Sequence, residues 1–125
     1  MYLVYIIKSN NRSYIGMTND FLKRWLQHNR VLSGGAKYTT KHSNTWYPIC
    51  IIDGFETKSE AMQCEWRLKR AKGYYNRLVY LSNLLQSGEK WTKNSPLINS
   101  QNLTIFVDND FKYLFPMETK ELVWF

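Results

Sequence analysis

The sequence predicts an α+β domain, in which a small three-stranded antiparallel or mixed sheet is flanked by helices and followed by a short C-terminal extension. Three observations lead to this fold class. Two β-branched and aromatic runs, 2–8 and 13–17, surround a turn, a third strand-length run spans 48–55, and a helical pattern follows each of these units. This order is typical of helices packed on one sheet, and 125 residues suffice for one domain.

The first two strands are expected to form a hairpin, because the polar residues 9–12 supply turn chemistry between them. A helix should follow, with Asn19 or Asp20 as its N-cap, and should continue to about residue 29. Its apolar residues recur at helical spacing: Phe21, Leu22, Trp25 and Leu26. Gly34 and Gly35 should end this helical region.

The next unit begins with a polar loop at 41–45 and continues with the strand at 48–55. Thr57 and Glu60 have the spacing of a capping box, which predicts a helix from there to about residue 72. Gly73 interrupts the helical pattern, and a second helix is predicted to start a few residues later, at 77–86.

A further strand is predicted at 103–107, and an aromatic tail occupies 111–125. We therefore expect a main domain at 1–90 and a C-terminal extension at 91–125. The extension should either pack on the domain or mediate self-association, for example as a homodimer.

The net charge of +7 is concentrated in the main domain, where residues 1–90 carry +8, while residues 91–125 carry −1. A basic domain attracts nucleic acid, because each neutralised phosphate releases condensed counterions. Charge alone leaves this expectation open, since many basic proteins bind no nucleic acid.

The cysteines and the apolar runs indicate the cellular compartment in which the protein is expected. Cys50 and Cys64 lack the paired spacing of a zinc site and lie in apolar surroundings, so we expect free thiols in a reducing, intracellular compartment, cytoplasmic or nuclear. No leader-like segment precedes the first strand, and no apolar run approaches the roughly 18 residues that span a bilayer. Membrane association is not expected.

Glu65 is the most informative single residue, because it falls on an apolar helix stripe. Ala61, Cys64, Glu65 and Leu68 recur at i, i+3, i+4 and i+7, so this carboxylate should face the core or a cleft wall and need a partner there. That partner could be a divalent cation, which binds through few carboxylates plus substrate phosphate, or simply Lys69 one turn later.

Two further pairs have chemistry suited to a phosphodiester. Arg24 and His28 lie one helical turn apart and should project from one face, as a surface pair or as phosphate ligands. Tyr5 and Tyr14 should stand close together on paired strands, although strands favour tyrosine in any case. A phenol becomes useful as a base when a metal or an arginine lowers its pKa.

In order and spacing, the segments 3–5 and 14–16 with Arg24, His28 and Glu65 resemble the signature of the GIY-YIG nuclease superfamily. Four further segments, 27–29, 33–39, 48–55 and 64–66, are similar to the structure-selective Slx-type nucleases. The likeness concerns their catalytic domain only, because two cysteines cannot build the zinc module that docks a scaffold protein in that subfamily. Dependence on such a partner is left open.

This resemblance implies a metal-dependent endonuclease that hydrolyses phosphodiester bonds with one Mg²⁺ or Mn²⁺ ion held by Glu65. Tyr5 or Tyr14 would align or deprotonate the attacking water, and Arg24 and His28 would balance the charge on the phosphate. The expected DNA-binding residues form three groups. They are the glycine loop, with Gly34 and Gly35, a first basic cluster, with Lys37 and Lys41, and a second basic cluster, with Arg67 and Arg70.

The expected substrate is branched, flapped or junction DNA, as used in repair, recombination or replication. Two alternatives stay open: an endonuclease of the same superfamily without branch selectivity, of a mobile-element or general repair type, and a non-cleaving nucleic-acid-binding module on the same fold. Cleavage of branched and linear DNAs, with and without metal, separates the three hypotheses.

Overall fold

The computed structural model describes residues 1–123; Trp124 and Phe125, which belong to the predicted aromatic tail, lie outside the described residues. The strands are β1 (Tyr2–Ser9), β2 (Arg12–Thr18), β3 (Tyr47–Phe55), β4 (Thr104–Val107) and β5 (Lys120–Glu121). The α-helices are α1 (Phe21–His28), α2 (Lys37–His42), α3 (Lys58–Leu68) and α4 (Tyr74–Ser87), and short 3₁₀ helices span Ile98–Ser100 and Asn109–Leu114.

The predicted α+β class is confirmed, but the prediction of a three-stranded sheet is wrong. The sheet has five strands in the order β2-β1-β3-β4-β5. The β4 strand was expected as a strand but not as part of this sheet, and it pairs antiparallel with β3 over Cys50 to Asp53. The β5 strand adds a parallel edge of two residues. So short a strand has no alternating pattern, which is why sequence analysis did not find it.

The hairpin forms as predicted, with Tyr5 opposite Gly16 and Ile7 opposite Tyr14 across the antiparallel β1–β2 pair. Asp20 caps α1, since its side chain accepts a hydrogen bond from the Lys23 amide. The α2 helix was not predicted, and its last two residues were wrongly assigned to the polar loop at 41–45. It has six residues, and only Thr39 among them is fully buried, so no apolar periodicity marks it.

The capping residue of α3 is Thr57, whose hydroxyl accepts from the Glu60 amide as the sequence predicted. The α3 helix ends at Leu68, four residues before the predicted end, and residues 69–71 continue as a turn. Gly73 separates the two helices with φ of +82°, a conformation that suits glycine. The α4 helix begins directly after it, three residues earlier than predicted.

The sheet separates two apolar clusters. One face carries alternate residues of β1, such as Val4 and Ile6, and is covered by α3 and α4 through Cys64, Leu68 and Leu78. The other face carries Tyr5, Ile7, Trp46 and Ile51, with Phe21 of α1 packed against them. Because side chains alternate along β1, Tyr5 lies in the smaller of the two apolar clusters, on the opposite face of the sheet from Val4 and Ile6.

The C-terminal part contributes to the larger cluster with buried side chains from 91 onward: Trp91, Ile98, Ile105, Val107 and Phe115. The boundary between a domain at 1–90 and an extension at 91–125 stays a prediction. Cys50 and Cys64 are free thiols, fully buried in the same cluster, and burial raises the pKa of each well above its usual value. Within residues 1–123, no helix has the length and apolar character needed to cross a membrane.

Candidate active site

The paired strands bring Tyr5 and Tyr14 to one face as diagonal neighbours, with ring centroids 6.5 Å apart. The α1 helix crosses this face and places the His28 ring 5.7 Å from the Tyr5 ring and 5.0 Å from the Tyr14 ring. Three of the predicted site residues therefore form one aromatic group beside the edge strand β2.

A chain of hydrogen bonds fixes the His28 tautomer. The Thr39 hydroxyl lies 3.0 Å from the Ala36 carbonyl oxygen, to which it donates. Its oxygen can then accept from His28 Nδ1–H, at 2.7 Å. His28 Nε2 is left as an acceptor, and the Tyr5 hydroxyl, 2.7 Å away, donates to it.

Electrostatics agree with this assignment. Burial, assisted by the positive charge of Arg24, lowers the pKa of His28 to about 4, so the imidazole is neutral at physiological pH. Burial also raises the pKa of Tyr5 well above 10, although Arg24 acts in the opposite direction. An arginine was expected to lower the phenol pKa. It does so, but the desolvation of Tyr5 has the larger effect.

Gly16 gives the Tyr5 hydroxyl its space. A Cβ atom at residue 16 would lie 2.3 Å from Tyr5 Oη and 3.1 Å from the Tyr14 ring. Any side chain there would displace the phenol from His28. The position of Tyr5 therefore requires glycine at residue 16 on the opposite strand.

Arg24 is held between its own helix and the glycine loop. Its guanidinium donates to Gln27 Oε1 at 3.0 Å and to the Gly34 carbonyl at 2.8 Å. Gly35 is equally constrained, since a Cβ there would lie 2.4 Å from the Gln27 carbonyl oxygen. The loop is packed against α1, and this contact orients Arg24 towards the tyrosines.

Glu65 projects from α3 on the stripe formed by the buried residues Ala61, Cys64 and Leu68, as the sequence predicted. Its side chain is 21% exposed, and its nearest cation is Lys69 Nζ at 3.9 Å. Burial raises the pKa of Glu65, while Lys69 lowers it. The negative charge of Glu65 also raises the pKa of Tyr5, which indicates that the carboxylate lies near the phenol. This effect is smaller than that of burial.

These residues fit a divalent metal ion bound mainly through substrate and water. The half-buried Glu65 carboxylate has one ion pair within the described chain, at 3.9 Å, and burial raises its pKa, so a bound cation would stabilise its ionised form. Among residues 1–123, no group of three or more His, Cys, Asp or Glu side chains could hold a metal by itself. One carboxylate with phosphate oxygens and waters is a usual environment for Mg²⁺.

The predicted DNA-binding residues differ in their surroundings. Lys37 and Lys41 are exposed on α2, and Arg70 is exposed with its guanidinium 4.7 Å from the Trp66 ring centroid. Arg67 instead donates to protein groups: the Tyr80 hydroxyl and the carbonyls of residues 90 and 91. These contacts favour a structural role for Arg67, and DNA binding by all four stays a prediction.

Sequence reasoning missed Thr39 and Gln27, which orient His28 and Arg24. Both are common polar residues, and no spacing rule links Thr39 to a helix eleven positions earlier. The available signal was that Thr39 ends the segment 33–39, which is similar to the Slx-type nucleases.

Comparison with known proteins gives a consistent result. A family model described as the GIY-YIG catalytic domain matches residues 1–77. The chain is 47% identical over 66 residues to the structure-specific endonuclease subunit slx1 of Schizosaccharomyces japonicus, covering 52% of this chain and 24% of that protein. It is 36% identical over 81 residues to the SLX1 homolog of Giardia intestinalis, covering 63% of this chain and 22% of that protein. The chain thus matches about a quarter of the length of these relatives.

Proposed function

This chain belongs to the GIY-YIG catalytic domain family, and we propose that it is a structure-selective DNA endonuclease that hydrolyses phosphodiester bonds in branched, flapped or junction DNA. The relatives described above are structure-specific endonuclease subunits, which supports the branch selectivity. The observation that carries the catalytic part is the hydrogen-bond chain from Tyr5 through His28 to Thr39.

Tyr5 is positioned to orient and deprotonate the attacking water. Its own proton is directed at His28 Nε2 and the Arg24 guanidinium lies beside its oxygen, so one lone pair is left to accept from a water. As the water oxygen bonds to phosphorus, the water proton passes to Tyr5 Oη and the Tyr5 proton passes to His28 Nε2. The bond from phosphorus to the leaving oxygen breaks, and that oxygen takes a proton from solvent.

The remaining residues balance charge. Thr39 keeps His28 in the tautomer that accepts, and the approaching phosphate raises the low proton affinity of His28. Arg24 places a guanidinium near Tyr5, where it can stabilise the extra negative charge of the transition state. Glu65 would hold the single Mg²⁺ or Mn²⁺ ion, which when bound supplies Lewis-acid polarisation of the phosphate.

Tyr14 is the alternative water-binding phenol, since its ring lies 5.0 Å from the His28 ring. Substitution by phenylalanine separates the two. Tyr5→Phe should reduce the cleavage rate by about 100-fold or more, in the range of lost general-base catalysis, and Tyr14→Phe should have the smaller effect. The reverse order would assign the water to Tyr14.

The test is a cleavage assay on splayed-arm, flapped, four-way and linear DNAs with Mg²⁺, Mn²⁺ or a chelator. Metal-dependent cutting near the branch, absent from the linear duplex, is the expected result. Equal cutting of the linear duplex would overturn branch selectivity, and metal-independent binding without any product would show a non-cleaving module.

A further inference from the structure

A basic cleft of about 500 Å³ lies beside the candidate active site, between the β1–β2 turn and the junction of α3 and α4. Tyr14 and Tyr38 line it together with four cationic side chains: Arg12, Lys69, Lys72 and Arg77. Among the described residues, no carboxylate lines the cleft. Such a concentration of positive charge favours an anionic ligand.

Arg77 fixes the shape of the cleft. Its guanidinium donates to the carbonyl and hydroxyl oxygens of Ser13, at 3.2 and 2.9 Å, and to the Ala71 carbonyl at 3.0 Å. One half-buried side chain therefore joins the hairpin to the turn after α3. The cleft is preorganised, because its two walls are held together by hydrogen bonds across it.

The other three cations are exposed and can reach a ligand: Arg12, Lys69 and Lys72. Lys69 connects the cleft with the candidate active site, since its Nζ lies 3.9 Å from Glu65 Oε1 and 5.8 Å from the Tyr14 ring centroid. An anionic chain that passes through the cleft would therefore lead directly to Glu65 and the two tyrosines.

Tyr38 adds an aromatic surface at this cleft. Its side chain is 41% exposed although its ring stacks on Tyr14, with centroids 6.3 Å apart and an interplanar angle of 21°. The ring of His42 supports it from a centroid distance of 4.5 Å. A held aromatic ring beside basic side chains is the arrangement by which proteins bind single-stranded nucleic acid.

We propose that this cleft binds an unpaired DNA strand next to the scissile phosphate, with its phosphates on Arg12, Lys69 and Lys72 and one base stacked on Tyr38. In a duplex, base faces are covered by neighbouring pairs, so Tyr38 can stack only where a strand is separated from its complement. The inference rests on the proposed function, and it explains how the site would select branched DNA.

Binding of splayed-arm DNA and of a linear duplex of equal length tests the proposal, with Glu65→Gln as the common background to prevent cleavage. Tyr38→Leu should weaken splayed-arm binding by about 10-fold, the effect of losing one stacked base, and duplex binding by less than about 2-fold. Tyr38→Phe keeps the ring and should restore most of the loss. Lys72→Gln should reduce the slope of log K against log salt by about 0.7 on the splayed arm.

Lys58→Gln is the matched control, because Lys58 is an exposed lysine at the start of α3, whereas Lys72 lies beyond the end of this helix, and Lys58 does not line the cleft. It should leave the ratio of splayed-arm to duplex affinity unchanged. The inference would be overturned if Tyr38→Leu lowered the affinity for both DNAs equally. It would also be overturned if Lys58→Gln and Lys72→Gln changed the salt dependence of splayed-arm binding equally.

Cleavage by the unsubstituted chain separates failure of this inference from failure of the proposed function. Absence of any metal-dependent product from any of the DNAs would overturn the proposed function. Branch-selective cleavage together with an unchanged affinity ratio in Tyr38→Leu would overturn only the assignment of the cleft.

Discussion

At the scale of single residues, the candidate site depends on how polar groups are paired in a nonpolar setting. Tyr5 is 1% exposed and His28 is fully buried, yet each has a hydrogen-bond partner, so neither is an unsatisfied polar group. The sequence predicted two close pairs, Tyr5 with Tyr14 and Arg24 with His28, and the family resemblance implied that they share one site. It could not predict the tautomer of His28, because Thr39 lies on a helix that the sequence pattern did not show.

Charge removal at the site should abolish catalysis without unfolding the protein. In Glu65→Gln and Arg24→Ala, we expect metal-dependent cleavage to fall by at least about 1000-fold, because both residues act on charge rather than packing. Glu56→Gln and Lys23→Ala are matched controls on exposed residues and should cleave at the parent rate. Rates under single-turnover conditions, with circular dichroism of each variant, provide the measurement, and full activity of either site variant would contradict the assignment.

Glu65→Gln should also separate metal binding from stability. Because burial raises the pKa of Glu65, the ionised carboxylate is disfavoured in the folded state, and its neutral analogue should keep or slightly raise metal-free stability. In complex with a DNA that cannot be cleaved, added Mg²⁺ should raise the melting temperature of the parent but not of the variant, because the ion would be held by Glu65 together with the substrate phosphate. An equal Mg²⁺-induced shift in both proteins would show that the ion binds elsewhere.

His28 makes stability depend on pH in a defined window. Its folded-state pKa is about 4 and its ordinary value is 6.5, so between these values the unfolded chain binds a proton that the folded chain does not. Stability should therefore decrease as pH falls from about 6.5 to 4, by about 2 kcal/mol after allowance for screening. Urea unfolding across this range should show a larger loss of stability in the parent than in His28→Gln, in which Glu65 still contributes; an equal loss in both would assign it to other groups.

At the scale of elements, helices with strong local signals were predictable and elements held by tertiary contacts were not. The caps Asp20 and Thr57 begin α1 and α3 as expected, because each side chain bonds an amide within its own segment. The α2 helix follows the glycine loop, and its buried Thr39 bonds to His28 of α1. Its position depends on a distant element, so no local pattern could reveal it.

The contact between the glycine loop and α1 is open to a direct test. Gly35→Ala places a methyl group 2.4 Å from the Gln27 carbonyl, so the loop must move and the hydrogen bond from Arg24 to Gly34 should break. We expect a stability loss of about 2 kcal/mol together with a large loss of cleavage. Chemical denaturation and cleavage rates measure both.

Gly88→Asn is the matched glycine control, since Gly88 has φ of +71° but no atoms within 4 Å of the added Cβ. Asparagine tolerates this conformation, so the variant should lose less than about 1 kcal/mol and keep its activity. An equal effect of the two substitutions would show that the contact with α1 has no special importance.

At the scale of the whole molecule, the sheet crosses the predicted boundary between the domain and its extension. The β4 strand lies between β3 and β5, and five buried side chains of the main cluster, including Trp91, come from residues after 90. The concentration of basic charge in residues 1–90 can be counted directly from the sequence. Packing of the extension on the domain was one of two expected outcomes, but the pairing of β4 with β3 could not be predicted, because it joins residues that are about 50 positions apart.

Truncation at this boundary tests whether residues 1–90 fold alone. Removal of 91–125 would uncover one edge of β3 and take Trp91, Ile105 and Val107 out of the core, so we expect a chain that aggregates or lacks a cooperative unfolding transition. Removal of 118–125 is the milder control, since among the described residues it takes away the two-residue β5 and Leu122 but none of the buried side chains of the main cluster. A cooperatively folded, active 1–90 fragment would contradict this expectation.

The two buried thiols offer a chemical probe of how this molecule opens. Cys50 lies on the central strand β3 and Cys64 on α3, one position before Glu65, and both have raised pKa values and no solvent exposure. A thiol reagent reacts with the thiolate, so neither cysteine should be modified until the core separates locally or globally. The rate of modification with and without DNA would therefore measure how strongly the substrate holds α3 against the sheet, while a cysteine introduced on the surface could be labelled selectively in the folded protein.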